Sequence, residues 1–254
     1  MALYTTIHLH NVPEARTDDY ASWFDDAHRD ALKGLRGLVA ADRFEVTAEQ
    51  IMPDVPQPWR YLSVYDFDLP DPLIDLPALG PLIASARDAG LIEDDDTERL
   101  YSYELYFDWK ASPNWQKDKP LSGVNIILAN YTPGRFDEWL TWYTDVHSVE
   151  VSNCPGNVGM KIGALSPFQI EPRRHCIGDQ LVMTGQQTDD LAFTVMDFGM
   201  RALGKSPSGI AMEPRSSAGS LARTVHYFKK ISGPDYWPGG IAYAGDWSPY
   251  PGRG

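Results

Sequence analysis

The chain carries one aromatic and histidine pattern twice. Residues 23–28 (WFDDAH) recur as residues 142–147 (WYTDVH), and the two histidines, His28 and His147, lie 119 positions apart in a chain of 254 residues. A separation of almost half the chain length indicates two copies of one structural module. Any fold proposed for this sequence must therefore contain that module twice.

The composition limits the classes of partner. Hydrophobic residues make up 43% of the chain, which is enough for a full core, and the net charge is −13. No run of lysine and arginine offsets this charge, so polyanionic partners are disfavoured. The amino terminus has no basic segment followed by an apolar run, and no stretch of about 18 apolar residues occurs. We expect a soluble cytoplasmic protein with no nucleic-acid and no membrane partner.

The cysteines do not indicate a disulfide framework or a reactive thiol. Cys154 and Cys176 are the two cysteines, and they lack CxxC spacing. Cys154 follows His147 by two helical turns, roughly 10 Å, which exceeds hydrogen-bond reach and disfavours a nucleophilic pair. The pairs His147 with Glu150 and His175 with Cys176 have no third partner at helical spacing. No metal site is predicted.

Both halves show the same order of predicted elements. A period of two predicts strands, and spacings of three and four predict helices. In the first half the strands cover 4–12, 39–47, 59–67 and 99–109, one helix has Thr17 as its N-cap and ends by Gly34 and Gly37, and the other covers 76–89. In the second half the strands cover 124–131, 158–165, 180–184 and 222–231, one helix begins at Thr132 and ends by Pro155-Gly156, and the other covers 191–203. The order β-α-β-β-α-β, twice, is the ferredoxin-like arrangement.

The predicted domain organisation follows from this order. Residues 1–110 form a first ferredoxin-like module, 111–121 a linker, 122–232 a second module and 233–254 a tail rich in proline, glycine and aromatic residues. Disordered tails are usually poor in aromatics, so this tail is expected to pack on the body. Each sheet would leave one apolar face bare. We therefore expect an α+β protein whose two antiparallel sheets pack into one intramolecular barrel.

The repeated helix pattern also resembles a known family. The pattern W-[FY]-x-x-x-H, with Pro155-Gly156 after it and Lys161-Ile162 opening the next strand, is similar to the EthD-like branch of the dimeric α+β barrel superfamily. In that superfamily two modules pair face to face, usually as separate subunits; here the resemblance implies a tandem duplication. It spans residues 1–232 loosely and the two helix segments well, although Gly37 lacks the preceding proline. The resemblance implies a pocket between the helices and the sheet.

The two repeated histidines are candidate catalytic residues. His28 and His147 lie on the apolar stripe of their predicted helices. Histidine titrates near neutral pH and can move a proton or polarise a carbonyl without a cofactor. The alternative is a buried histidine that is satisfied by a backbone carbonyl. The recurrence of the same aromatic neighbours leaves both interpretations open.

The first strands of the two halves differ in polarity. His8 and His10 share one strand face with Thr6, which makes His8 and His10 further candidate catalytic residues. The aligned residues of the second half are Asn125, Ile127 and Ala129. This difference predicts that the first half holds the active site, with His28 carrying proton transfer and His147 mainly binding or structural. The alternative is that this face meets solvent or the barrel seam.

Aromatic residues around these histidines are candidate substrate contacts. Tyrosine offers a ring for stacking and a hydroxyl that can stabilise a developing enolate, although β-propensity alone also accounts for tyrosines on strands. Tyr61, Tyr65, Tyr101 and Tyr103 alternate on the third and fourth strands. The predicted substrate-binding residues are Tyr20, Trp23, Phe24, Tyr61, Tyr65, Tyr103, Asn125 and Tyr143.

These patterns favour a cofactor-independent enzyme. Phosphate loops, GxGxxG turns, GxSxG elbows and HExxH motifs do not occur, so no cofactor is predicted; haem stays open because some relatives of this superfamily bind it through histidine. The resemblance implies cofactor-independent proton-transfer chemistry on a small aromatic or polyketide-like metabolite, and within that class we favour a lyase or decarboxylase. The alternatives are a cofactor-free monooxygenase, an isomerase or cyclase, and a non-catalytic binding protein for aromatic molecules. The protein is expected to be a monomer or a homodimer.

Overall fold

A computed structural model of the chain describes residues 2–112, 114–116, 119–171, 177–201, 203–213, 216–219 and 223–231. The predicted aromatic tail, together with His175 and Cys176, lies outside these residues.

The strands form a closed antiparallel barrel. In the described chain they are β1 Ala2–His10, β2 Leu38–Val46, β3 Tyr61–Leu69, β4 Arg99–Ala111, β5 Gly123–Ala129, β6 Asn157–Leu165, β7 Gln180–Gln186 and β8 Arg223–Lys230. Their order around the barrel is β1-β3-β2-β8-β5-β7-β6-β4, and β4 pairs with β1 to close it. All the pairings are antiparallel. The predicted α+β class and barrel are confirmed.

The helices of the described chain pack against the outer face of this barrel. Helix α1 covers residues 17–32, α2 covers 72–88, α3 covers 136–152, and α4 is Leu191–Arg201. Three of them are not uniform: α1 joins α-helical Thr17–Trp23 and Arg29–Leu32 through a π-helical Phe24–His28, and α3 joins Phe136–Thr141 and Ser148–Ser152 through a π-helical Trp142–His147. Helix α2 has a 3-10 turn at Leu76–Leu79, where Pro77 removes one backbone donor.

The two halves of the barrel have the same strand order. The first half reads β4-β1-β3-β2 and the second reads β8-β5-β7-β6. Two further pairings, β2 with β8 and β4 with β6, join the halves at both seams. Because these seams are made of backbone hydrogen bonds, the barrel is one continuous hydrogen-bonded sheet that neither half completes alone.

The core has three layers because every strand has two covered faces. Ile7, Leu62, Ile126 and Leu181 point into the barrel, while Tyr65 and Phe67 face α1 and α2, and Val182 and Tyr227 face α3 and α4. Side chains alternate between these layers along each strand. Strand β5 is buried at every position, which explains its nearly continuous apolar run, GVNIILA.

An ion pair crosses the barrel interior. The Lys161 ammonium lies 2.5 Å from Oδ1 of Asp66, which also accepts a hydrogen bond from the Thr5 hydroxyl at 2.6 Å. Lys161 is on β6 and Asp66 on β3, and these strands are not neighbours in the sheet. Their side chains therefore meet through the interior, where each charge depends on its partner.

Two glycines end the repeated helices in the same way. Gly37 and Gly156 follow α1 and α3, have φ values of 77° and 84°, and are 119 positions apart. A Cβ atom at Gly37 would lie 2.5 Å from the carbonyl oxygen of Asp68, and one at Gly156 would lie 2.5 Å from Oγ1 of Thr194. Both the positive φ and the close approach require glycine.

The predicted helix starts need correction. Thr17 is the first helical residue rather than a side-chain N-cap, and its hydroxyl donates to the Glu14 carbonyl at 3.0 Å within a preceding 3-10 turn. Helix α3 begins at Phe136 and not at Thr132. Residues 132–135 form a turn instead, because Gly134 has a φ of 80°, outside the helical region.

Candidate active site in the first half

The repeated histidines follow π-helical turns that bring a tryptophan onto each imidazole. In an α-helix, residues five apart point about 140° away from each other. The wider π turn, with its i→i+5 hydrogen bonds, brings them onto one face. The rings of Trp23 and His28 stack with centroids 4.4 Å apart, and those of Trp142 and His147 stack at 4.5 Å. The W-[FY]-x-x-x-H pattern therefore corresponds to a π turn in both halves of the chain.

A group of buried polar side chains lies between α1 and the sheet of the first half. Strand β1 contributes His8 and His10, strand β3 contributes Tyr61, Ser63 and Tyr65, and α1 contributes Tyr20 and His28. We call these seven residues the histidine cluster. Each of them is at most 2% exposed. The predicted shared face of His8 and His10 is thus the helix-facing side of the sheet and not the solvent or the seam.

His10 is a neutral imidazole with a defined tautomer. Burial, reinforced by the neighbouring His8, holds the pKa of His10 well below 6.5. Its Nδ1 lies 3.1 Å from the His8 carbonyl, which can only accept, so Nδ1 carries the proton. Its Nε2 therefore accepts from the Tyr20 hydroxyl at 2.7 Å, and burial raises the pKa of Tyr20 so that this hydroxyl stays protonated.

His8 is paired with a carboxylate. Nε2 of His8 lies 2.6 Å from Oε1 of Glu98, and its ring stacks on His10 with centroids 4.3 Å apart. Burial alone would raise the pKa of Glu98, but the hydrogen bonds from His8 and Arg87 outweigh it and lower the pKa. Glu98 is therefore ionised near neutral pH and accepts the hydrogen bond that Nε2 of His8 donates.

His28 has one satisfied nitrogen and one unsatisfied nitrogen. Nε2 lies 3.0 Å from the Tyr65 hydroxyl. Nδ1 is buried and has no hydrogen-bond partner among the described residues. Burial, followed by the charge of His8, lowers the pKa of His28 to about 3, so the ring is neutral at working pH. A buried polar nitrogen without a partner is costly and is a candidate contact for a ligand.

Among its described residues, the second half has no comparable group. Ile127 and Ala129 take the strand positions of His8 and His10, and both belong to the apolar layer under α3. Trp139 takes the place of Tyr20. Nδ1 of His147 is 3.3 Å from Oε2 of Glu150, whereas the position corresponding to Glu150 is Ala31 in the first half. The histidine whose Nδ1 has no partner among the described residues is thus the one in the polar cluster.

Three predicted substrate contacts lie away from the histidine cluster. Tyr103 points into the barrel, where its hydroxyl donates to the Gly178 carbonyl at 3.1 Å. It faces away from Tyr61 and Tyr65 because it pairs with Thr5 and not with a helix-facing residue of β1. Asn125 and Tyr143 belong to the second half. Trp23 and Phe24 do lie against the cluster, with ring contacts to His28 at 4.4 and 5.1 Å.

Sequence reasoning missed the charged residues that support His8. Glu98 accepts hydrogen bonds from Nε of Arg87 at 2.9 Å and from Nη2 at 2.7 Å. The same guanidinium donates to both oxygens of Glu171, at 2.5 and 3.1 Å. Glu98 closes an acidic run, residues 93–98, that looks like a solvated loop, and Arg87 lies on the otherwise unremarked helix α2. No local pattern connects them to His8.

Glu171 comes from the other half of the chain. The loop after β6 crosses the seam: Ser166 N donates to the Ser102 carbonyl at 2.9 Å, and Phe168 and Ile170 pack on the first-half layer. The loop after β2 crosses in the opposite direction, and its Ile51 packs on the second-half layer. Each half is therefore covered by a loop of the other, and the loop after β6 contributes the charged side chain of Glu171 to the first half.

A separate cleft opens beside this crossing loop. It has a volume of about 750 Å³ and is lined in part by Tyr106, Tyr131, Glu171 and Gln180. Of these residues, Glu171 also touches the network that holds His8. The cleft lies on the second-half side of the loop and does not include the histidine cluster, so the chemistry of the side chains identifies the candidate site better than the size of the opening.

Other candidate chemistries find little support in the described ranges. No group of three or more histidine, cysteine, aspartate or glutamate side chains there is arranged to hold a metal ion. No described helix combines the length and apolar character needed to cross a bilayer. Cys154 is a buried free thiol, and burial raises its pKa to about 12, which leaves it unreactive as a nucleophile.

Comparison with solved structures places the fold. No family model and no curated protein matches the chain. An anthrone oxidase-like protein is 11% identical with a TM-score of 0.55, over 91% of this chain and 92% of that chain. A presumed monooxygenase from Fusobacterium nucleatum is 9% identical with a TM-score of 0.53, over 91% and 93%. One from Lactobacillus acidophilus is 10% identical with a TM-score of 0.50, over 91% and 94%. The chain has the dimeric α+β barrel fold. Identities this low show the fold alone.

Proposed function

We propose that this protein is a cofactor-independent enzyme that moves a proton on a small aromatic or polyketide-like substrate, with the histidine cluster as its active site. The observation that carries the proposal is the buried Nδ1 of His28, which has no hydrogen-bond partner among the described residues and lies in a group that also holds the neutral imidazole of His10 and two tyrosine hydroxyls. The part of the second half that the structure describes lacks this combination, which favours the first half as the reactive one. His147 is then a structural or binding residue.

The chemistry follows from the protonation states. A neutral imidazole can accept a proton from a phenol or from a carbon next to a carbonyl. The Tyr20 hydroxyl keeps its hydrogen beside His10 because burial raises its pKa, and the Tyr65 hydroxyl lies 3.0 Å from Nε2 of His28; a hydroxyl at such a position can stabilise the enolate oxygen that develops. Because the rings are shielded from water, these hydrogen bonds act in a medium of low dielectric constant, where they are strongest.

The fate of the deprotonated substrate defines two candidate reactions. In a lyase or decarboxylase, carbon dioxide leaves and the carbanion takes a proton back from the imidazolium. In a cofactor-free oxygenase, a methylene carbon becomes a ketone as one atom of O₂ enters the substrate and the other leaves as water. The oxygenase is favoured by the names of the structures with the same fold. An isomerase or cyclase would use the same first step.

The burial of the cluster favours one further candidate. A group that is at most 2% exposed can also serve as a polar core with no catalytic role, as in a binding protein for aromatic molecules. The catalytic proposal requires the residues above the cluster to move when a substrate enters. Trp23 on α1 is partly exposed and lies over His28, which makes it the side chain best placed to do so.

A substrate panel tests the proposal directly. Purified protein is incubated with tricyclic phenols and ketones such as anthrone and with aromatic β-keto acids, and oxygen uptake and product mass are followed together. Oxygen uptake with a ketone product identifies the oxygenase, and carbon dioxide release without oxygen uptake identifies the decarboxylase. Binding without turnover for every compound that binds identifies the binding protein.

Paired histidine variants then test the site. His28→Ala should lower turnover by about 10²- to 10⁴-fold, the usual effect of losing a positioned acid or base, while His147→Ala stays near wild type. Both are compared at equal folded fraction. The opposite result would assign the chemistry to the second half. If neither variant lost turnover, catalysis by these two helix histidines would be refuted.

We also propose that the chain is a tandem duplication from the EthD-like branch, with modules at 1–110 and 122–232. The identical strand order, the paired π turns and the paired glycines Gly37 and Gly156 support it. Because the barrel closes within one chain, assembly is not needed to cover the sheets, and a monomer or a homodimer would both be compatible. Light scattering coupled to size-exclusion chromatography measures the mass.

A further inference from the structure

We propose that Glu98 is a positioning residue that fixes the tautomer of His8, with Arg87 and the crossing residue Glu171 holding its carboxylate in place. The proposal rests on the proposed function for its catalytic meaning. It extends that function to residues outside the histidine cluster, one of which belongs to the other half of the chain.

The hydrogen bond between the two side chains has only one possible direction. An ionised carboxylate has no proton to donate, so Nε2 of His8 must carry the hydrogen of the 2.6 Å contact. This holds for the neutral and for the charged ring. Nδ1 is consequently the only nitrogen of His8 that can gain or lose a proton while Glu98 stays ionised. His10 has the opposite tautomer, with its proton on Nδ1.

Arg87 keeps Glu98 both charged and oriented. Its Nε is 2.9 Å from each carboxylate oxygen of Glu98, and its Nη2 is 2.7 Å from Oε1. Contacts from two guanidinium nitrogens define the plane of the carboxylate, which a lysine at this position would not do. Glu98 and Arg87 are mostly buried, with side chains 6% and 16% exposed, so solvent screens this pair weakly.

Glu171 restrains the opposite side of the same guanidinium. Its two oxygens accept from Nη1 and Nη2 of Arg87, and the contact joins helix α2 to the loop after β6. Removing Glu171 would leave Arg87 and Glu98 paired. Glu171 is therefore the control for this network, because it supports the network without touching His8.

Nuclear magnetic resonance of the histidine side chains tests the tautomer without a substrate. Long-range ¹H–¹⁵N spectra distinguish a protonated Nε2 from a protonated Nδ1, and the His8 signals are assigned by their loss in His8→Gln. Wild type and Glu171→Gln should show His8 with the proton on Nε2. In Glu98→Gln the His8 ring should be a mixture of the two neutral tautomers. In Glu98→Asp the preference for the proton on Nε2 should be retained in part. A His8 that keeps Nε2–H in Glu98→Gln, or has Nδ1–H in wild type, overturns the proposal.

Kinetics separate this proposal from the proposed function. With a substrate in hand, Glu98→Gln should lower kcat by on the order of 10²-fold or more with little change in KM, as expected when a histidine of the active site loses its orienting carboxylate. Glu171→Gln should do less. An unchanged kcat in Glu98→Gln refutes the positioning role even if His28→Ala is inactive. Conversely, if no panel compound turns over, the proposed function fails while the tautomer result stands by itself.

Discussion

The indole of Trp23 stacks on the imidazole of His28, five positions further along the same helix, with ring centroids 4.4 Å apart and planes 29° from parallel. The contact depends on the π turn at Phe24–His28, since an α-helix would turn the two side chains away from each other. The π turn interrupts the regular α-helical hydrogen bonds of α1, and it places His28 in contact with both Trp23 and Tyr65.

Shortening this turn should detach His28. Deleting the exposed Ala27 converts the π turn to an α-helix and rotates the residues on one side of it by about 100° relative to those on the other. Turnover and the NMR signature of the His28–Tyr65 contact should both disappear. Deleting Val146, the corresponding residue of α3, is the matched control and should leave turnover intact. Equal loss of turnover in the two deletions, at equal folded fraction, would contradict the assignment of the site.

A carboxylate at position 31 should occupy the free nitrogen of His28. Glu150 reaches Nδ1 of His147 from three positions further along α3, and the exposed Ala31 has the same relation to His28. Ala31→Glu should therefore lower kcat/KM by at least about 10-fold. Glu150→Ala, which removes this contact from His147, should not raise kcat/KM. If Ala31→Glu retains full activity while NMR shows the new contact, Nδ1 of His28 does not meet the substrate.

The buried neutral histidines should make stability depend on pH in the acidic range. The folded pKa values of His28 (about 3) and His226 (about 4) are depressed by burial, and that of His10 lies well below 6.5. Their contribution is complete above about pH 6.5 and is lost as the pH falls towards these folded pKa values, by up to about 1.4 kcal/mol per pH unit for each ring. Urea unfolding from about pH 7 to about pH 4 should show this slope.

Substituting one of these histidines measures its contribution to the pH dependence of stability. In His28→Gln the free energy of unfolding should depend less steeply on pH, by the contribution of one proton. Tyr65→Phe keeps the imidazole and should lower the free energy of unfolding without changing its dependence on pH. A wild-type slope in His28→Gln would mean that His28 takes up its proton in the folded state.

Breaking the ion pair inside the barrel should be costly. Asp66→Asn leaves the Lys161 ammonium, 3% exposed, without its counter-charge, and the free energy of unfolding should fall by about 3–5 kcal/mol. Combining it with Lys161→Met should recover most of the loss, because an apolar side chain needs no partner there. Chemical denaturation of both variants measures this, and equal stability of the single and double variants would show that water already reaches the lysine.

Local patterns were sufficient for the parts of the site that lie on one element. The period of two on β1 predicted that His8 and His10 share a face, and spacings of four on α1 predicted that His28 points inward. The same spacings fit a regular α-helix equally well, so the π turn could not be predicted from them. The Trp-to-His interval of five positions is the signal that distinguishes the two.

Contacts made between distant elements had no local signal. Glu98 meets His8 across 90 positions and closes an acidic run that resembles a surface loop. Tyr103 was grouped with Tyr61 and Tyr65, but the register of β4 against β1 turns it to the opposite face, and one residue of shift reverses such an assignment. Pairing register depends on the whole sheet, which no single segment encodes.

His8 and Ile127 occupy the same place in the two halves of the barrel, one among hydrogen bonds and the other among aliphatic side chains. In a barrel made from two identical subunits, a mutation at this position would alter both pockets at once. In a single chain the two codons mutate independently, so one pocket is free to acquire charge while the other keeps the packing that holds the barrel closed.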